Sequence, residues 1–588
     1  MYTNTYYDRR SNKIHLWDDV RGYMSFPYSD YAYEPSQNGE ILSIYGDRYT
    51  KVANFDRNDE TLFEKDVPPI TRTLIDMYPD SDLPGGDLNI FTFDIEVEME
   101  TGLPDTKVSE NEITAIGYHT TKQGDYVVLV LDKEGTMEVT QHNKTTVIPF
   151  INEKDMLRYF VDEWQRLGID IVTGWNIDFF DIPYLYNRLV NLFGKDYASS
   201  LSPIGIVNYK ERDETYQIAG IASMDYILLY KKFTFGELPN YRLDTVATKE
   251  LGRGKIEYDG NLDDLFRTDI KKFIEYNLVD VELVVDLDIK LQLISLARGT
   301  CHIGHIGYDD WKFSSIYLEG AMLTHLRRKN LIAPSKKKKK KPKNDENSNG
   351  KVGFTGAYVK SPIVGKYEWI YDLDLTSLYP SIIMSLNISP ETKVDLIEDW
   401  DYLDYVKAVD KNWKVRSGGE ISNQNLKKML EEENYAIASN GVIYSQNKVG
   451  IIPEILSEWF DKRVEFRKKA KEFADAGDES QYNFYNQRQK IQKVLLNSFY
   501  GVLGLKSFRL YDLDNAGAIT AVGQVVIKST ADMLNKRYVQ IIGGSPVKVE
   551  MEDGTYREIF PNQPVMVIRN GVQMNIIGNE LQEGDDLI

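Results

Sequence analysis

Phe91-Thr92-Phe93-Asp94-Ile95-Glu96-Val97 reads as the centre of a strand running from Leu88 to Met99. Strand side chains alternate between two faces, so Phe91, Phe93, Ile95 and Val97 point together into a core. Asp94 and Glu96 then share the opposite face, with Cα atoms about 6–7 Å apart. Carboxylates that close repel each other, and a divalent cation between them turns the repulsion into attraction. Alone, the pair also fits solvated surface. Two further segments shift the balance. Thr173-Gly174-Trp175-Asn176-Ile177-Asp178-Phe179-Phe180-Asp181 sets Asn176 and Asp181 among aromatics. Tyr276-Asn277-Leu278-Val279-Asp280 puts a phenol and a carboxylate at i and i+4, on one face of a helix. Four carboxylates (Asp94, Glu96, Asp181 and Asp280) without Cys or His suit hard, oxygen-preferring ions, Mg²⁺ or Mn²⁺. Two such ions about 3.5–4 Å apart stabilise the attacking and leaving oxygens in phosphodiester hydrolysis, and Tyr276 is placed to orient the attacking water.

Around this strand the chain is ordinary globular material, 588 residues at 42% hydrophobic and 27% charged. At roughly 150 residues per domain the length suggests about four domains. No stretch approaches the ~18 apolar residues of a membrane span, and the polar start Met1–Arg10 lacks a signal-peptide core. One cysteine, Cys301, excludes an intramolecular disulfide and a Cys-built zinc site. These features point to a cytoplasmic protein. Ninety acids against 70 bases leave a net charge of −20, an average that argues against a nucleic-acid partner only if no local basic strip exists. Such a strip occurs at 460–471, with six bases and two acids.

The first 80 or so residues read as a small mixed domain. Met156, Leu157, Phe160, Trp164 and Leu167 recur at helical spacing and predict an amphipathic helix over Asn152–Leu167. The run Lys336–Lys341, continuing to Gly350, reads as a solvated linker, with a phosphate-backbone contact as the sharper alternative. Strands are expected from 351 to about 400 and helices beyond Pro453 up to Lys493–Tyr500. The last 44 residues carry two hairpin signals, one turning at Asp553-Gly554 and one at Asn570-Gly571. With eight acids and three bases, this tail reads as a separate module.

The ordered set Asp94-Ile-Glu96, Asn176-x-x-x-Phe180-Asp181 and Tyr276-x-x-x-Asp280 resembles the three motifs of the 3′→5′ proofreading exonuclease in family-B DNA polymerases. Further motifs extend the resemblance from about residue 80 to 540, on the side of tailed-phage enzymes. Asp372-Leu373-Asp374-Leu375-Thr376-Ser377-Leu378-Tyr379-Pro380 is similar to the palm motif. The resemblance implies that Asp374 is the first metal carboxylate of synthesis, that the backbone of Leu375, Thr376, Ser377 and Leu378 lies near a triphosphate, and that Tyr379 blocks a ribose 2′-hydroxyl. Lys493-x-x-x-Asn497-x-x-Tyr500-Gly501 resembles the fingers motif, and Arg463 and Arg467 match cations that clasp the triphosphate. Phe233 to Asp263 looks like the family's exonuclease hairpin loop, and Phe354–Tyr358 like the link between the two halves. The fold implied is multidomain α/β: an α+β N-terminal domain, a ribonuclease-H-like exonuclease, part of a ferredoxin-like palm and helical fingers, with a β-rich C-terminal tail. The expected boundaries are 1–87, N-terminal domain; 88–292, exonuclease; 293–349, N-terminal return and Lys-rich loop; 350–449 and 506–544, palm; 450–505, fingers; and 545–588, tail. Implied partners are primer-template DNA and deoxynucleoside triphosphates.

The family's second palm carboxylate, on an Asp-Thr-Asp-Ser hairpin, is not found in residues 501–588. Synthesis is therefore expected to need a second polypeptide carrying that motif and the thumb, with a sliding clamp reached through the same missing half. From Ser545 the sequence resembles the N-terminal piece of a cysteine-free split intein. Ser545 after Gly544 is placed for an N→O acyl shift, while Gln563 stands where such a block carries histidine. A complementary intein piece is the implied partner. Non-covalent assembly of fragments, a stand-alone repair exonuclease with a polymerase remnant, and a non-catalytic subunit are the alternatives.

Overall fold

A computed structural model describes residues 1–81, 84–99, 102, 104–211, 213–234, 236–337, 356–361 and 373–541, together with short strands and residue 580 in the tail. The chain forms two compact units, one of residues 1–344 and 454–511, the other of 345–453 and 512–588.

In the first unit the strand Ile90–Val97 lies inside a seven-stranded sheet. It pairs antiparallel with Ile113–Thr120, placing Asp94 opposite Gly117 and Glu96 opposite Ala115, and parallel with Ile171–Thr173 on its other side. Both faces are covered by helices. Glu153–Leu167 begins at Asn152, whose side chain accepts the Asp155 N–H at 3.0 Å, and ends at left-handed Gly168. This is the amphipathic helix that the sequence predicts. Its Phe160 and Trp164 pack edge-on against Phe91, with ring centroids 6.1 and 5.1 Å away, so the odd-numbered face of the strand is sealed. The opposite face meets the helix Ile270–Leu291, which begins at Asp269. There Gly117 is a requirement of packing: a Cβ on it would come within 2.4 Å of Asn277 Oδ1.

The N-terminal region holds a three-stranded antiparallel sheet of Tyr2–Asp8, Lys13–Asp18 and Gly22–Pro27. A four-stranded sheet takes its edge strand, Leu331–Ile332, from far along the chain. The two long helices expected beyond Pro453 are present as Ile451–Asp475 and Glu479–Leu503. Gly477 turns between them in a left-handed conformation (φ 72°), and Phe473 stacks on Tyr485 at 5.5 Å.

In the second unit the expectation of strands up to residue 400 is corrected. Leu378–Leu386 is a helix, following Ser377 at φ 53°. Ile382 and Ile383 favour strands locally, but Pro380 sits in the first turn, where no backbone N–H is needed, and both isoleucines are buried. The strands expected before Asp374 fall largely on residues outside those described, and Asp374 itself lies in irregular chain. The long helix Leu513–Ile541 runs beside Tyr379, where a Cβ on Gly523 would approach the Tyr379 ring to 3.2 Å. In the tail, Val547–Glu550 pairs with Tyr556–Ile559 and Pro564–Arg569 with Val572–Ile577, the two hairpins expected.

A buried ion pair ties the core of the first unit together. Glu153 accepts the Arg188 guanidinium at 2.6 and 2.9 Å and the Ile113 N–H at 2.8 Å. Removing one partner strands the other charge, at about 3–5 kcal/mol. Glu153→Ala is therefore expected to destabilise the chain by that amount in chemical denaturation, and a loss below about 1 kcal/mol would contradict the assignment.

Candidate active site

The site is assembled from three places in the chain. Asp94 and Glu96 come from the central strand, Asp280 from the helix that covers them, and Asp181 from the first turn of Asp181–Phe193. One oxygen from each of Asp94, Glu96 and Asp280 lies within 4.8 Å of the others, a cation-sized cluster. Asp181 stands beside this trio rather than in it: its Oδ1 accepts the Ile95 N–H at 3.0 Å. All four expected carboxylates come together here, with Asp181 held against the strand backbone and close enough to raise the Asp94 carboxyl.

Burial makes the cluster electrostatically expensive. Asp181 and Asp280 are 3% exposed and Glu96 is 9% exposed. Burial, then Glu96, Asp181 and Asp280 in turn, hold the Asp94 carboxyl well above the usual range. Burial and Asp280 push Glu96 up to about 8. Asp181 rises to about 7, mainly through burial, although the Ile95 N–H pulls the other way. Oδ1 of Asp280 is buried with no hydrogen-bond partner. Hard anionic oxygens, mutual repulsion and an unsatisfied acceptor are the conditions that Mg²⁺ or Mn²⁺ relieves, so the residues fit such ions.

Two neighbours went unassigned in the sequence. Lys255 donates to Asp280 Oδ2 at 2.5 Å and to the Tyr276 hydroxyl at 3.1 Å, and Asp280 holds its ammonium well above the usual range. Asn277, between Tyr276 and Asp280 in the motif, donates to Asp94 Oδ2 at 3.0 Å. Asn277 carried a readable signal, one turn before Val281 on the sheet-facing side of the helix. Lys255 carried little, because it lies in the stretch expected to be a hairpin loop. That expectation is corrected: the described residues between 233 and 263 hold the helix Leu243–Leu251 and irregular chain, with no ladder, and this chain delivers Lys255 to the carboxylates. Asp225 also escaped notice. Its carboxylate accepts the N–H groups of Asn176 and Asp178 at 3.1 and 3.2 Å and fixes the loop leading to Asp181.

The second set is distributed over both units. In the second, Asp374, Leu375 and Thr376 are exposed, Ser377 is left-handed, and Leu378 and Tyr379 open the following helix. In the first, Arg463 and Arg467 lie one turn apart on Ile451–Asp475, and Lys493, Asn497 and Tyr500 follow one another along Glu479–Leu503. Burial and then Arg467 lower the basicity of Arg463, whose Nε is buried without a partner. Gly544, Ser545 and Gln563 lie outside the described residues.

A family model for DNA polymerase family B matches residues 312–563, and one for the exonuclease domain of DNA polymerase family B matches 48–246. The chain belongs to DNA polymerase family B. It is 29% identical to the DNA-directed DNA polymerase of Escherichia phage RB69 over 78% of this chain and 56% of that protein. Identity is 31% to the DNA-directed DNA polymerase of Enterobacteria phage T4 over 70% of this chain and 49% of that protein. DNA polymerase 1 of Saccharolobus solfataricus is 28% identical, over 82% and 50%. The chain thus spans about half the length of the curated relatives it matches. Asp94 and Asp181 lie inside the exonuclease match and Asp280 beyond it, so Asp280 joins the site on geometry. Among the described residues, no helix is long and apolar enough to cross a membrane.

The raised carboxyls fix the sign of a pH effect. Glu96 near 8 and Asp181 near 7 hold protons in the folded chain that the unfolded chain releases near pH 4. The metal-free cluster therefore costs stability increasingly as pH rises from about 4 to 8. A cation must displace those protons, so Mn²⁺ should raise the melting temperature more at pH 8 than at pH 6. Calorimetry with and without Mn²⁺ checks this, and the difference should disappear in Asp280→Asn.

Proposed function

We propose that this chain is the exonuclease and nucleotide-binding part of a replicative DNA-directed DNA polymerase. Its substrates in this reading are primer-template DNA and deoxynucleoside triphosphates, and its second activity is 3′→5′ removal of mispaired nucleotides. The observation that carries the reading is the convergence of Asp94, Glu96 and Asp280 from a strand and a helix onto one buried point.

In hydrolysis, Asp94, Glu96 and Asp280 hold the divalent ions, and Asp181 completes the negative surround. Bound there, such ions would supply Lewis acidity for phosphodiester hydrolysis. The Tyr276 hydroxyl, fixed by Lys255, orients the attacking water. Lys255, beside Asp280 and Tyr276, would offer its ammonium to negative charge developing at the phosphate. Asn277 holds Asp94 by its second oxygen, and Gly117 leaves room for it. For synthesis we assign Asp374 as a metal carboxylate, Leu375–Leu378 as backbone beside the triphosphate and Tyr379 as the ribose gate. Arg463, Arg467 and Lys493 serve as phosphate contacts, with Asn497 and Tyr500 on the same helical stripe as Lys493.

The second reading concerns residues 545–588 as a splicing module that joins this chain at Gly544/Ser545 to a separate polypeptide carrying a further palm carboxylate. The two antiparallel hairpins of the tail and its acidic composition support it. The polymerase-family match continuing to residue 563 weighs against it. Mass spectrometry of this chain mixed with a candidate partner decides: loss of residues 545–588 with a longer ligated product supports splicing, and a ligation indifferent to Ser545→Ala sinks it.

Two substitutions test the main reading. Asp94→Ala should lower Mg²⁺-dependent digestion of a 3′-labelled single strand by about 10²–10³-fold. Gly117→Ala, which pushes Asn277 off Asp94, should lower it about tenfold at a temperature where melting curves show the variant still folded. Full digestion by Asp94→Ala would remove the exonuclease assignment.

A further inference from the structure

Asp178 lies midway along the loop from Asn176 to Asp181 and is not one of the clustered carboxylates. Its side chain is nonetheless only 3% exposed, and both of its oxygens are engaged. Oδ1 accepts the Ser223 hydroxyl at 2.5 Å, and Oδ2 accepts the Lys312 ammonium at 2.5 Å. A second buried carboxylate stands beside it. Asp225 accepts the Asp178 N–H at 3.2 Å, together with those of Asn176 and Ile227 at 3.1 Å. Burial, and then the neighbouring Asp178, push the Asp225 carboxyl up to about 7. Two acids packed under one loop repel each other, and Lys312 supplies the cation that relieves them. The loop itself is tight: Asn176 is left-handed at φ 70°, its carbonyl accepts the Phe180 N–H at 3.1 Å, and the Ile177 carbonyl accepts the Ile182 N–H at 3.0 Å. A shift at Asp178 is therefore passed on to Asp181.

Lys312 reaches Asp178 from 134 residues further along the chain, and its backbone is fixed where it does so. Trp311 before it is buried and stacks on Phe233, with ring centroids 6.0 Å apart. The Lys312 carbonyl accepts the Lys232 ammonium at 2.7 Å, and Lys232 also donates to the Ser314 hydroxyl at 3.3 Å. The ion pair is asymmetric. The Lys312 side chain is 30% exposed, so its ammonium can turn to water when its partner is lost, whereas Asp178 has no such outlet. Loss of the lysine thus strands a buried carboxylate beside Asp225, while loss of the acid strands nothing. For the fold alone, an apolar pair of the same size would serve as well or better. What the charged pair adds is direction.

We propose that Lys312 is a positioning residue of the exonuclease site: by pairing with Asp178 it seats the loop that carries Asp181 against the strand of Asp94 and Glu96. This rests on the exonuclease reading above and adds to it a residue outside all three carboxylate motifs. Lys312 acts through Asp178 and the loop backbone, and Asp225 holds the same loop by its N–H groups.

The test compares Lys312→Met, Asp178→Asn and the double variant with the parent, each as the full chain. Two quantities are measured: Mn²⁺-dependent digestion of a 3′-labelled single strand, and hydrogen–deuterium exchange over residues 174–182. Lys312→Met should lower kcat about tenfold, raise the Mn²⁺ concentration needed for half the maximal rate, and speed exchange in the loop. Asp178→Asn and the double variant should both stay within about threefold of the parent, because neither strands a buried charge. Assays are run where melting curves show every variant folded, and there a merely structural role would leave the Mn²⁺ requirement unchanged. The proposal is overturned if folded Lys312→Met digests as the parent does at the same Mn²⁺ requirement, or if the double variant is no better than Lys312→Met. Should the parent digest nothing, the exonuclease reading fails separately and exchange still decides: equal rates over 174–182 in the parent and Lys312→Met overturn the seating of the loop, and faster exchange that the double variant reverses upholds it.

Discussion

Three carboxylate oxygens on a buried face, drawn within 4.8 Å of one another, oppose the folding of the domain that contains them. Nothing in the apolar core benefits from that arrangement, and ionising all three would be prohibitive in a low-dielectric site. The raised carboxyls record the conflict as retained protons. Much of the surrounding architecture reads as a means of holding the groups together against their repulsion. The strand carrying Asp94 and Glu96 is paired on both edges and sealed below by Phe160 and Trp164, so it cannot turn its acidic face outward. The covering helix brings Asp280 down from above, and the backbone of Ile95 reaches sideways to Asp181.

The neighbours differ in how they meet the same constraint. Lys255 neutralises one charge outright, as a cation against Asp280 at 2.5 Å. Asn277 adds no charge and orients Asp94, leaving that oxygen pair in a defined direction. Because Asn277 approaches so closely, the opposing strand can carry only glycine at position 117 without displacing it. Second-layer contacts of this kind set the direction of ligand lone pairs, and a metal site depends on them nearly as much as on the ligands.

How much of this the sequence carried depends on the range of the interaction. Asp94 and Glu96 share a face by strand periodicity, and Tyr276 and Asp280 by helical periodicity; both relations are local and both were legible. The helix Glu153–Leu167 was legible for the same reason, its apolar spacing and its Asn152 cap lying within one segment. Lys255 was not, because its partner is 25 residues away and irregular chain carries no period. The helix at Leu378–Leu386 was missed because β-branched residues favour strands locally, while the burial of Ile382 and Ile383 that overrides the preference is tertiary. That Asp181 Oδ1 accepts the Ile95 N–H is finer than any motif, since it turns on a single backbone contact between distant segments.

Net charge conceals a complementary problem on the long helices. Many of their cations are neutralised along the helix itself, as Lys462 with Glu458 and Lys469 with Glu465, each at 2.6 Å. Arg463, Arg488 and Lys490 are different: each is half-buried, each loses basicity chiefly through burial, and none has an acid partner among the described residues. Dehydrating a cation without pairing it is as unfavourable as crowding carboxylates. The sheet side of the first unit therefore holds excess negative charge that a cation relieves, and the long helices hold excess positive charge that an anion relieves. A net charge of −20 therefore averages over two local deficits of opposite sign that are kept apart. The half-buried arginines lie on the long helices, while the carboxylates of the cluster are turned inward and their protons are retained.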